Sequence, residues 1–361
     1  MRASVLPTRL SRYLLGTVIG SVLAVAAVLT GLYFGVDLVR EAGDMAGGYG
    51  LLEVFGFLLN TLPARLYDLF PFAALIGTMV ALGRLASGSE LIAMRACGFD
   101  QIRISAQAVL AGLGLGLSVM LVGETVAPAL ELDARIDREQ ARDRQVGAAS
   151  GASLWLRDGR RMIRAGLVIW ERDDRVRFAD LRIYELEEDG GLTRVIQAES
   201  GRHLDGRWLL SGASTLDSES GMLTRYGESP IDLASDLQPD VFRALATRPR
   251  LLPISDILTI RRYLEANDQD AGAYDQAFWR RALYPVNLFA MVFSGVALLL
   301  YGGRRLPPAL GVFAGVSFGI GFFVVHRLVL GMAPVVPAPL WITHLIPAAL
   351  FAALGLALLR R

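Results

Sequence analysis

Six apolar runs, each long enough to cross a lipid bilayer, set the main constraint on how this chain can fold. They lie at about 13–36, 57–84, 102–128, 282–302, 309–330 and 338–359. Three runs precede a charged stretch from about 130 to 280, and three follow it. We therefore predict an α-helical membrane protein with six transmembrane helices in a 3+3 order. The first run exceeds the usual core of a signal peptide, which favours a retained membrane helix.

The stretch between the two triplets is predicted to be a separate antiparallel β domain. Its short segments alternate apolar and polar residues and are separated by the Asp-Gly pairs at 158–159, 189–190 and 205–206. Short strands joined by such turns are typical of an antiparallel sandwich or curled sheet. A helical period follows at about 254–268, with Ser255 as its predicted N-cap. The predicted domains are 1–129 with helices 1–3, 130–280 with the β domain and its closing helix, and 281–361 with helices 4–6.

Composition excludes several classes of function. The mean hydropathy is +0.43 and 53% of the residues are hydrophobic, which is more than in an ordinary soluble protein. The formal net charge of +1 gives no reason to expect nucleic acid. All 36 basic residues are arginine. Without lysine, these residues can form neither a Walker A phosphate loop nor a Schiff-base site.

Cysteine and histidine offer neither a disulfide nor a metal site. Cys97 is the only cysteine, so an intrachain disulfide is excluded. The three histidines, His203, His326 and His344, are scattered without the spacing of metal ligands. We therefore expect no metal and no cofactor bound by this chain itself.

The arginines of the short loops indicate the orientation in the membrane. If the N-terminus is cytoplasmic, the short outer loops hold only Arg40 and Arg327. The cytoplasmic segments then hold Arg2, Arg9, Arg12, Arg84, Arg95, Arg103, Arg304, Arg305, Arg360 and Arg361. Because basic residues are enriched in cytoplasmic loops, we expect both termini in the cytoplasm. The β domain would then lie outside the inner membrane, in the periplasm of a Gram-negative cell.

The segment SGSELIAMRACGFDQIRIS, residues 87–105, is a short charged interruption between two apolar runs. With Ser89 as N-cap, it predicts a short helix that has Glu90 in its first turn and that Gly98 can end. Leu91, Ala93 and Met94 can face the membrane side. Such a cytoplasmic helix can insert into a groove on an ATPase. It can equally be a plain connection, in which Glu90 only favours the helix dipole.

Glu124, in GETVAP at 123–128, is an acid near the outer end of the third run. An acid at membrane depth is a functional candidate, usually paired with an arginine. Arg135 and Arg138 can be its partners or can bind an anionic ligand at the membrane surface. The alternative is a solvated helix face, on which these arginines pair with acids three or four residues away.

The fifth run carries Gly311, Gly315 and Gly319 at a spacing of four. The last two flank Ser317 in a Gly-x-Ser-x-Gly pattern, but a hydrolase needs that pattern at a turn between a strand and a helix. Inside an apolar helix it predicts no catalysis. Small residues on one helical face instead allow close helix packing, so we expect the fifth helix to pack tightly and to have a face that can open.

The chain resembles the YjgP/YjgQ permeases, the LptF/LptG family of the lipopolysaccharide exporter. The likeness covers essentially the whole chain and is carried by the 3+3 arrangement together with SELIAMRACGF, GETVAP and QDAGAYDQAFW. The first motif is shared by both branches of the family, whereas the other two are more similar to the LptG branch. An LptF-type subunit is the alternative.

The resemblance implies a set of partners and a transport route. In this family an LptF-like and an LptG-like subunit form a heterodimer, whose first and fifth helices make lateral gates. An LptB-like ATPase dimer holds ATP and magnesium, and an LptC-like protein adds one membrane helix. Lipopolysaccharide is drawn from the inner membrane and passed through β-jellyroll domains to a periplasmic bridge. The chain itself would then be a permease without a catalytic site.

The resemblance also implies roles for individual residues. Residues 89–98 look like the coupling helix that meets the ATPase, with contacts from Glu90, Leu91, Met94 and Arg95. Substrate-binding cations are expected at Arg135 and Arg138, and by location at Arg40 and Arg65. Phe34 stands where LptG proteins often carry lysine, so either Arg40 or a neighbouring helix supplies that charge, or phosphate recognition is relaxed there.

Two other classes of function are alternatives to a permease subunit. A membrane-anchored hydrolase needs a nucleophile and a base that face one compartment, and the sequence offers none. A passive scaffold for envelope assembly would leave Glu90 dispensable and would admit no lipid between the first and fifth helices.

Overall fold

The computed structural model describes residues 9–45, 49–143, 154–170, 176–187, 191–204, 207–218, 220–226, 231–234, 241, 245, 249–267, 269–301, 308–332 and 339–360. The helices in chain order are α1 (Arg9–Gly43), α2 (Leu51–Ser87), α3 (Glu90–Ala96), α4 (Gln101–Thr125), α5 (Ala127–Asp143), α6 (Ile254–Ala266), α7 (Gly272–Ala282), α8 (Tyr284–Tyr301), α9 (Pro308–Met332) and α10 (Leu340–Leu359). The strands are β1 (Leu154–Asp158), β2 (Arg161–Trp170), β3 (Val176–Leu186), β4 (Leu192–Leu204), β5 (Arg207–Ser211), β6 (Ser214–Asp217), β7 (Leu223–Arg225) and β8 (Ile231–Ala234).

Within the described residues, six helices are long and apolar enough to cross a membrane, namely α1, α2, α4, α8, α9 and α10. Three precede the strands and three follow them, which confirms the predicted 3+3 arrangement. Two of these helices, α1 and α2, extend beyond the predicted apolar runs at both ends. At α2, for example, the backbone N–H of Gly50 donates to the Glu53 carboxylate at 3.0 Å. This capping contact starts the helix before the predicted residue 57.

The centre of the helical unit is α2, which lies against α1, α4, α8 and α9. Glycines allow the closest of these contacts. A Cβ placed on Gly77 of α2 would lie 2.5 Å from the Cα of Val22 in α1, and one on Gly116 of α4 would lie 2.1 Å from a methyl carbon of Leu288 in α8. Small residues therefore set the separation of these helices, as in other membrane bundles.

The strands form one antiparallel sheet in the order β1-β2-β3-β4-β5-β8, with β6 between β4 and β7. This confirms the antiparallel β region between the helix triplets. β4 pairs with β5 through its residues 200–204 and with β6 through its residues 194–197, so one edge of β4 serves two partners. Of the Asp-Gly turns predicted from sequence, the pair at 158–159 joins β1 to β2, and the pairs at 189–190 and 205–206 lie outside the described residues.

In the sheet, buried and exposed side chains alternate along the strands, and β3 contains an interruption of this pattern. Ile163, Phe178, Leu181 and Ile183 are all fully buried, although Phe178 and Leu181 are three residues apart. Between them Asp180 has φ +50°, and the pairing that the register would give it with Gly166 is missing. This local change of backbone conformation brings both apolar side chains to the core, where strict alternation would separate them.

Of the two predicted helix caps, Ser89 holds its position and Ser255 is wrong. Ser89 is the N-cap of α3, but it has φ +59° and ψ +11°, and its side chain makes no capping hydrogen bond. An N-cap side chain reaches the first-turn N–H groups from an extended backbone, which this left-handed conformation does not supply. Ser255 lies inside α6, whose N-cap is Pro253, and its hydroxyl contacts the neighbouring Asp256 carboxylate at 3.0 Å.

Candidate functional site

The short helix α3 is held against the bundle by one apolar face. Leu91 and Met94 are buried in the same apolar cluster as Leu14 of α1. At the C-terminus, the N–H of Gly98 bonds to the carbonyl of Arg95 and the N–H of Phe99 to the carbonyl of Met94, with Gly98 at φ +85°. This is a Schellman motif, which ends the helix where the sequence predicted.

Glu90, at the first position of α3, contacts the first membrane helix. The Oη of Tyr13 donates to Glu90 Oε2 at 2.7 Å. A cavity of about 300 Å³ lies beside this contact and is lined by Tyr13, Gly16, Thr17, Gly20, Ser21, Arg84, Leu85 and Glu90. Sequence reasoning missed Tyr13, because two residues 77 positions apart carry no shared pattern in a single sequence.

The opposite face of α3 is exposed. Ile92, Arg95 and Cys97 all point away from the bundle. Neither Arg95 nor the nearby Arg84 forms an ion pair with any described carboxylate. Unpaired cations beside an exposed isoleucine are features of a docking surface. The role of Glu90, Leu91, Met94 and Arg95 in meeting an ATPase stays a prediction.

A second group of charges lies at the C-terminal end of α1 and is called here the arginine cluster: Asp37, Glu41, Asp44, Arg65 and Arg138. The three acids recur along one face of α1 and just after its end, and the arginines come from α2 and α5. Arg65 Nη2 lies 3.2 Å from Asp37 Oδ2, and its guanidinium lies 5.0 Å from the centre of the Tyr33 ring. Sequence alone gave no partner for Arg65.

Arg138 is the most extensively contacted arginine of the cluster. Its Nε lies 2.8 Å from Glu41 Oε2 and its Nη2 lies 3.2 Å from Asp44 Oδ2. The guanidinium also lies 5.1 Å from the centre of the Phe57 ring. Burial opposes the charge of Arg138, but Glu41 more than offsets this effect and the pKa of Arg138 is raised. The side chain is therefore a permanent cation between two carboxylates.

Tyr49 completes the surroundings of Glu41. Its Oη donates to Glu41 Oε2 at 2.9 Å. Burial, and then the hydrogen bond to Glu41, raise the pKa of Tyr49 to about 12. The phenol therefore stays neutral and keeps its proton for Glu41 at any physiological pH.

The other predicted substrate-binding residues differ in their surroundings. Arg40 has a side chain that is 71% exposed and lies 3.7 Å from Asp37, so its charge is largely available to a ligand. Phe34 packs against the Phe55 ring at 6.0 Å between centroids. Arg65 lies beside Tyr33 and Asp37, which flank Phe34 in the chain, so a neighbouring helix brings a cation to this part of α1.

Glu124 is paired with Arg281 and not with the arginines that the sequence suggested. Arg281 Nη1 lies 2.5 Å from Glu124 Oε1. Arg135 instead lies 2.6 Å from Glu131, the pairing along one helix face that was the alternative. Because the fourth membrane helix returns beside the third, Arg281 reaches Glu124 across a large separation in sequence. Of the alternatives that the sequence left open, the structure therefore shows the pairing along one helix face for Arg135, and it pairs Arg138 with Glu41 and Asp44.

Gly315 and Gly319 of the fifth membrane helix face α2. A Cβ on Gly315 would lie 3.2 Å from Met79 Sδ and 3.4 Å from Ile76 Cα, and one on Gly319 would lie 3.2 Å from the Phe72 ring. Gly311 belongs to the same helix, but its surroundings lie outside the described part of the chain. A gate on this face stays a prediction.

Two histidines that are far apart in sequence meet in the bundle. The rings of His326 in α9 and His344 in α10 lie 5.7 Å apart between centroids. His344 is fully buried, and neither of its nitrogens has a hydrogen-bond partner among the described residues. No group of three or more metal-binding side chains is found among the described residues.

Comparison with known proteins gives one consistent result. The protein "Lipopolysaccharide export system permease protein LptG" of Haemophilus influenzae is 26% identical over 354 residues, which is 95% of each chain. The protein of the same name from Escherichia coli K12 is 29% identical over 342 residues, which is 92% of each chain. The family model for the lipopolysaccharide export system permease LptF/LptG matches residues 12–361. With this match over nearly its whole length, the chain belongs to the LptF/LptG family of lipopolysaccharide export permeases.

Proposed function

We propose that this inner-membrane permease draws lipopolysaccharide from the membrane and passes it toward a periplasmic bridge, as the LptG-type subunit of an ATP-driven exporter. One observation carries the proposal. On α1, exposed apolar side chains that include Leu32, Val36 and Val39 lead directly to Arg40 and the arginine cluster. An amphiphile with acyl chains and phosphates needs this combination of apolar surface and cations at one membrane level.

The cations of the proposed phosphate site differ in availability. Arg40 can receive a phosphate directly, because its side chain is exposed. Arg65 and Arg138 are held by carboxylates of α1, so a phosphate has to replace these carboxylates to reach them. Arg135 is held by Glu131 and is the weakest of the four candidates. In this proposal Phe34 contributes apolar contact, and Arg65 supplies the charge that a lysine provides in relatives.

ATP hydrolysis is proposed to occur in a partner. The absence of lysine from the sequence excludes a Walker A loop in this chain, so ATP and magnesium would be bound by an LptB-like ATPase dimer. Glu90, Leu91, Met94 and Arg95 of α3 would form the contact. Leu91 and Met94 act from the buried side by holding α3, and Arg95 acts from the exposed side.

Two further partners are proposed from the family resemblance. An LptF-like permease would complete the central cavity, and exposed apolar residues on α9, such as Phe313, Ile320 and Phe323, offer surface for that contact or for lipid. An LptC-like protein would add one membrane helix. The arginine distribution supports cytoplasmic N- and C-termini and a periplasmic β domain, which we propose to be a jellyroll.

Two alternatives remain to be separated from this proposal by experiment. The relatives reported above carry the LptG name, which favours LptG over an LptF-type role. A membrane scaffold without transport would need neither a cation for phosphate nor an ATPase contact.

The test is assembly of this chain with the LptF-like and LptB-like partners in lipid nanodiscs. Wild type is compared with Glu90→Ala and Glu90→Arg, and Asp133→Arg serves as a matched control, because Asp133 is an exposed acid outside α3. We expect wild type and the control to retain the ATPase, and Glu90→Arg to uncouple or eject it. If no ATPase binds to wild type, the exporter proposal fails and the scaffold takes its place.

A further inference from the structure

We propose that Tyr13 is a positioning residue for Glu90, and that their hydrogen bond links α3 to the first membrane helix. The inference rests on the proposed function in one respect, which is that α3 receives the ATPase. It adds a specific route by which a displacement of α3 reaches α1.

The geometry of the contact restricts the Glu90 carboxylate. Tyr13 Oη donates to Oε2 at 2.7 Å, and a hydrogen bond to an ionised acceptor is stronger than one between neutral groups. Tyrosine has a rigid ring and few rotatable bonds, so it fixes the position of the atom that it contacts. Oε1 of Glu90 accepts no hydrogen bond from any described residue. One oxygen is therefore held by α1 while the other is available to a partner.

The contact spans a gap in the packing. The cavity of about 300 Å³ beside Tyr13 and Glu90 separates this side of α3 from α1. A Cβ on Gly16 or Gly20 of α1 would meet no atom within 4 Å. On this side the hydrogen bond across the gap joins the two helices, whereas on the other side Leu91 and Met94 share an apolar cluster with Leu14 of α1.

The chain turns sharply at both ends of α3, so side-chain contacts determine the orientation of this helix. Ser89 at the start has φ +59° and Gly98 after the end has φ +85°. A non-glycine residue rarely adopts this left-handed conformation. Tight turns thus separate α3 from the axes of α2 and α4. Leu91 and Met94 anchor one side of α3, and Tyr13 anchors the first turn.

From Tyr13, α1 continues as one helix to Asp37, a distance of roughly 36 Å at 1.5 Å per residue. Asp37 holds Arg65 of the arginine cluster at 3.2 Å. A single helix therefore connects the residue that holds Glu90 with the residues proposed to meet phosphate. A shift or rotation of α1, started through Tyr13, would act on both ends.

The experiment uses the assembled exporter in nanodiscs and the variant Tyr13→Phe, which removes only the hydroxyl. Ser21→Ala is the matched control, because Ser21 lines the same cavity and is not among the groups that act on the Tyr13 hydroxyl. We expect Tyr13→Phe to retain the ATPase and its hydrolysis, and to reduce the lipopolysaccharide released per ATP about tenfold, equivalent to about 1.4 kcal/mol. In a Glu90→Ala background the same change should have no further effect.

The outcomes separate this inference from the proposed function. If Tyr13→Phe releases as much lipopolysaccharide per ATP as wild type while Glu90→Arg uncouples, the link through Tyr13 is overturned and the ATPase contact stands. If Ser21→Ala reduces release as much as Tyr13→Phe, the effect comes from a change in the cavity and the inference is again overturned. If wild type binds no ATPase, the proposed function itself fails.

Discussion

Glu124 of α4 and Arg281 of α7 form a 2.5 Å ion pair whose side chains are 14% and 5% exposed. The Arg281 guanidinium also lies 6.0 Å from the centre of the Tyr67 ring, and the Tyr67 and Tyr284 rings stack at 4.5 Å between centroids. The pair therefore joins the two helix triplets at a buried position.

Removal of one member of this pair should destabilise the protein strongly. Arg281→Leu leaves the Glu124 charge buried, and breaking a buried pair typically costs about 3–5 kcal/mol. The double variant Glu124→Leu/Arg281→Leu should lose much less, because no buried charge remains. Thermal unfolding of the purified protein in detergent measures both. Equal losses in the single and double variants would contradict the assignment.

The arginine cluster makes a prediction about ligand affinity. Glu41→Gln keeps the shape of the side chain but removes a charge that competes with phosphate for Arg138. We expect binding of a phosphorylated lipid to strengthen about two- to tenfold, the size of a modest coupling energy. Binding of fluorescent lipopolysaccharide measures the change, with Asp133→Asn as the control. Weaker binding in Glu41→Gln would show that Glu41 only positions Arg138.

Tyr49 predicts a specific dependence of stability on pH. Its pKa in the folded protein is raised to about 12, above the ordinary value of about 10. A raised pKa stabilises the fold below the unfolded value, and this contribution is lost as the pH rises through the folded value. Stability should therefore decline between about pH 10 and 12. Tyr49→Phe should have a smaller decline in the same thermal unfolding series, and an unchanged decline would exclude Tyr49 as its cause.

Replacement of His344 by leucine should not destabilise the folded protein. A fully buried imidazole without hydrogen-bond partners is unfavourable by about 1–3 kcal/mol, so His344→Leu, of similar volume, should leave the melting temperature unchanged or raise it. His326→Leu is the companion variant. A clear loss of stability in His344→Leu would mean that its nitrogens are satisfied by a group outside the described residues. Unchanged stability with lost transport would assign the pair a role in transport.

Gly77 and Gly315 should differ in how well the fold tolerates their replacement by alanine. At Gly77 the new Cβ would lie 2.5 Å from the backbone of Val22, so Gly77→Ala has to separate α1 from α2 and should destabilise severely. At Gly315 the nearest atom is the flexible Met79 Sδ at 3.2 Å, which can move. Gly315→Ala should therefore be tolerated, with a small loss. Expression level and thermal unfolding of the two variants compare them directly.

The fold was predictable to the extent that it depends on local patterns. Apolar length predicted six membrane helices, and alternation with Asp-Gly turns predicted the antiparallel sheet, because both properties belong to contiguous residues. The Schellman end of α3 at Gly98 was predictable for the same reason. The backbone of Ser89 was not, since serine ordinarily favours the extended conformation of a cap.

The candidate site was less predictable, because its contacts join residues that are distant in sequence. Glu124 was recognised as needing an arginine, yet several arginines qualified and Arg281 lay after the whole β domain. Tyr13 is one of ten tyrosines, and nothing in its neighbours indicates Glu90 as its partner. Of the alternatives for Arg135, the structure shows the ion pair with Glu131, the acid that is nearer in the sequence. Pairing over long separations depends on helix packing, which a single sequence does not specify.

Cys97 is exposed at the C-terminus of α3 and is the only cysteine in the sequence. A maleimide fluorophore would therefore label the native chain at one defined position, without prior removal of other thiols. The label would lie on the exposed side of α3, within a few residues of Ile92 and Arg95. Quenching or an anisotropy change on addition of the ATPase would then report docking in real time on the unaltered protein.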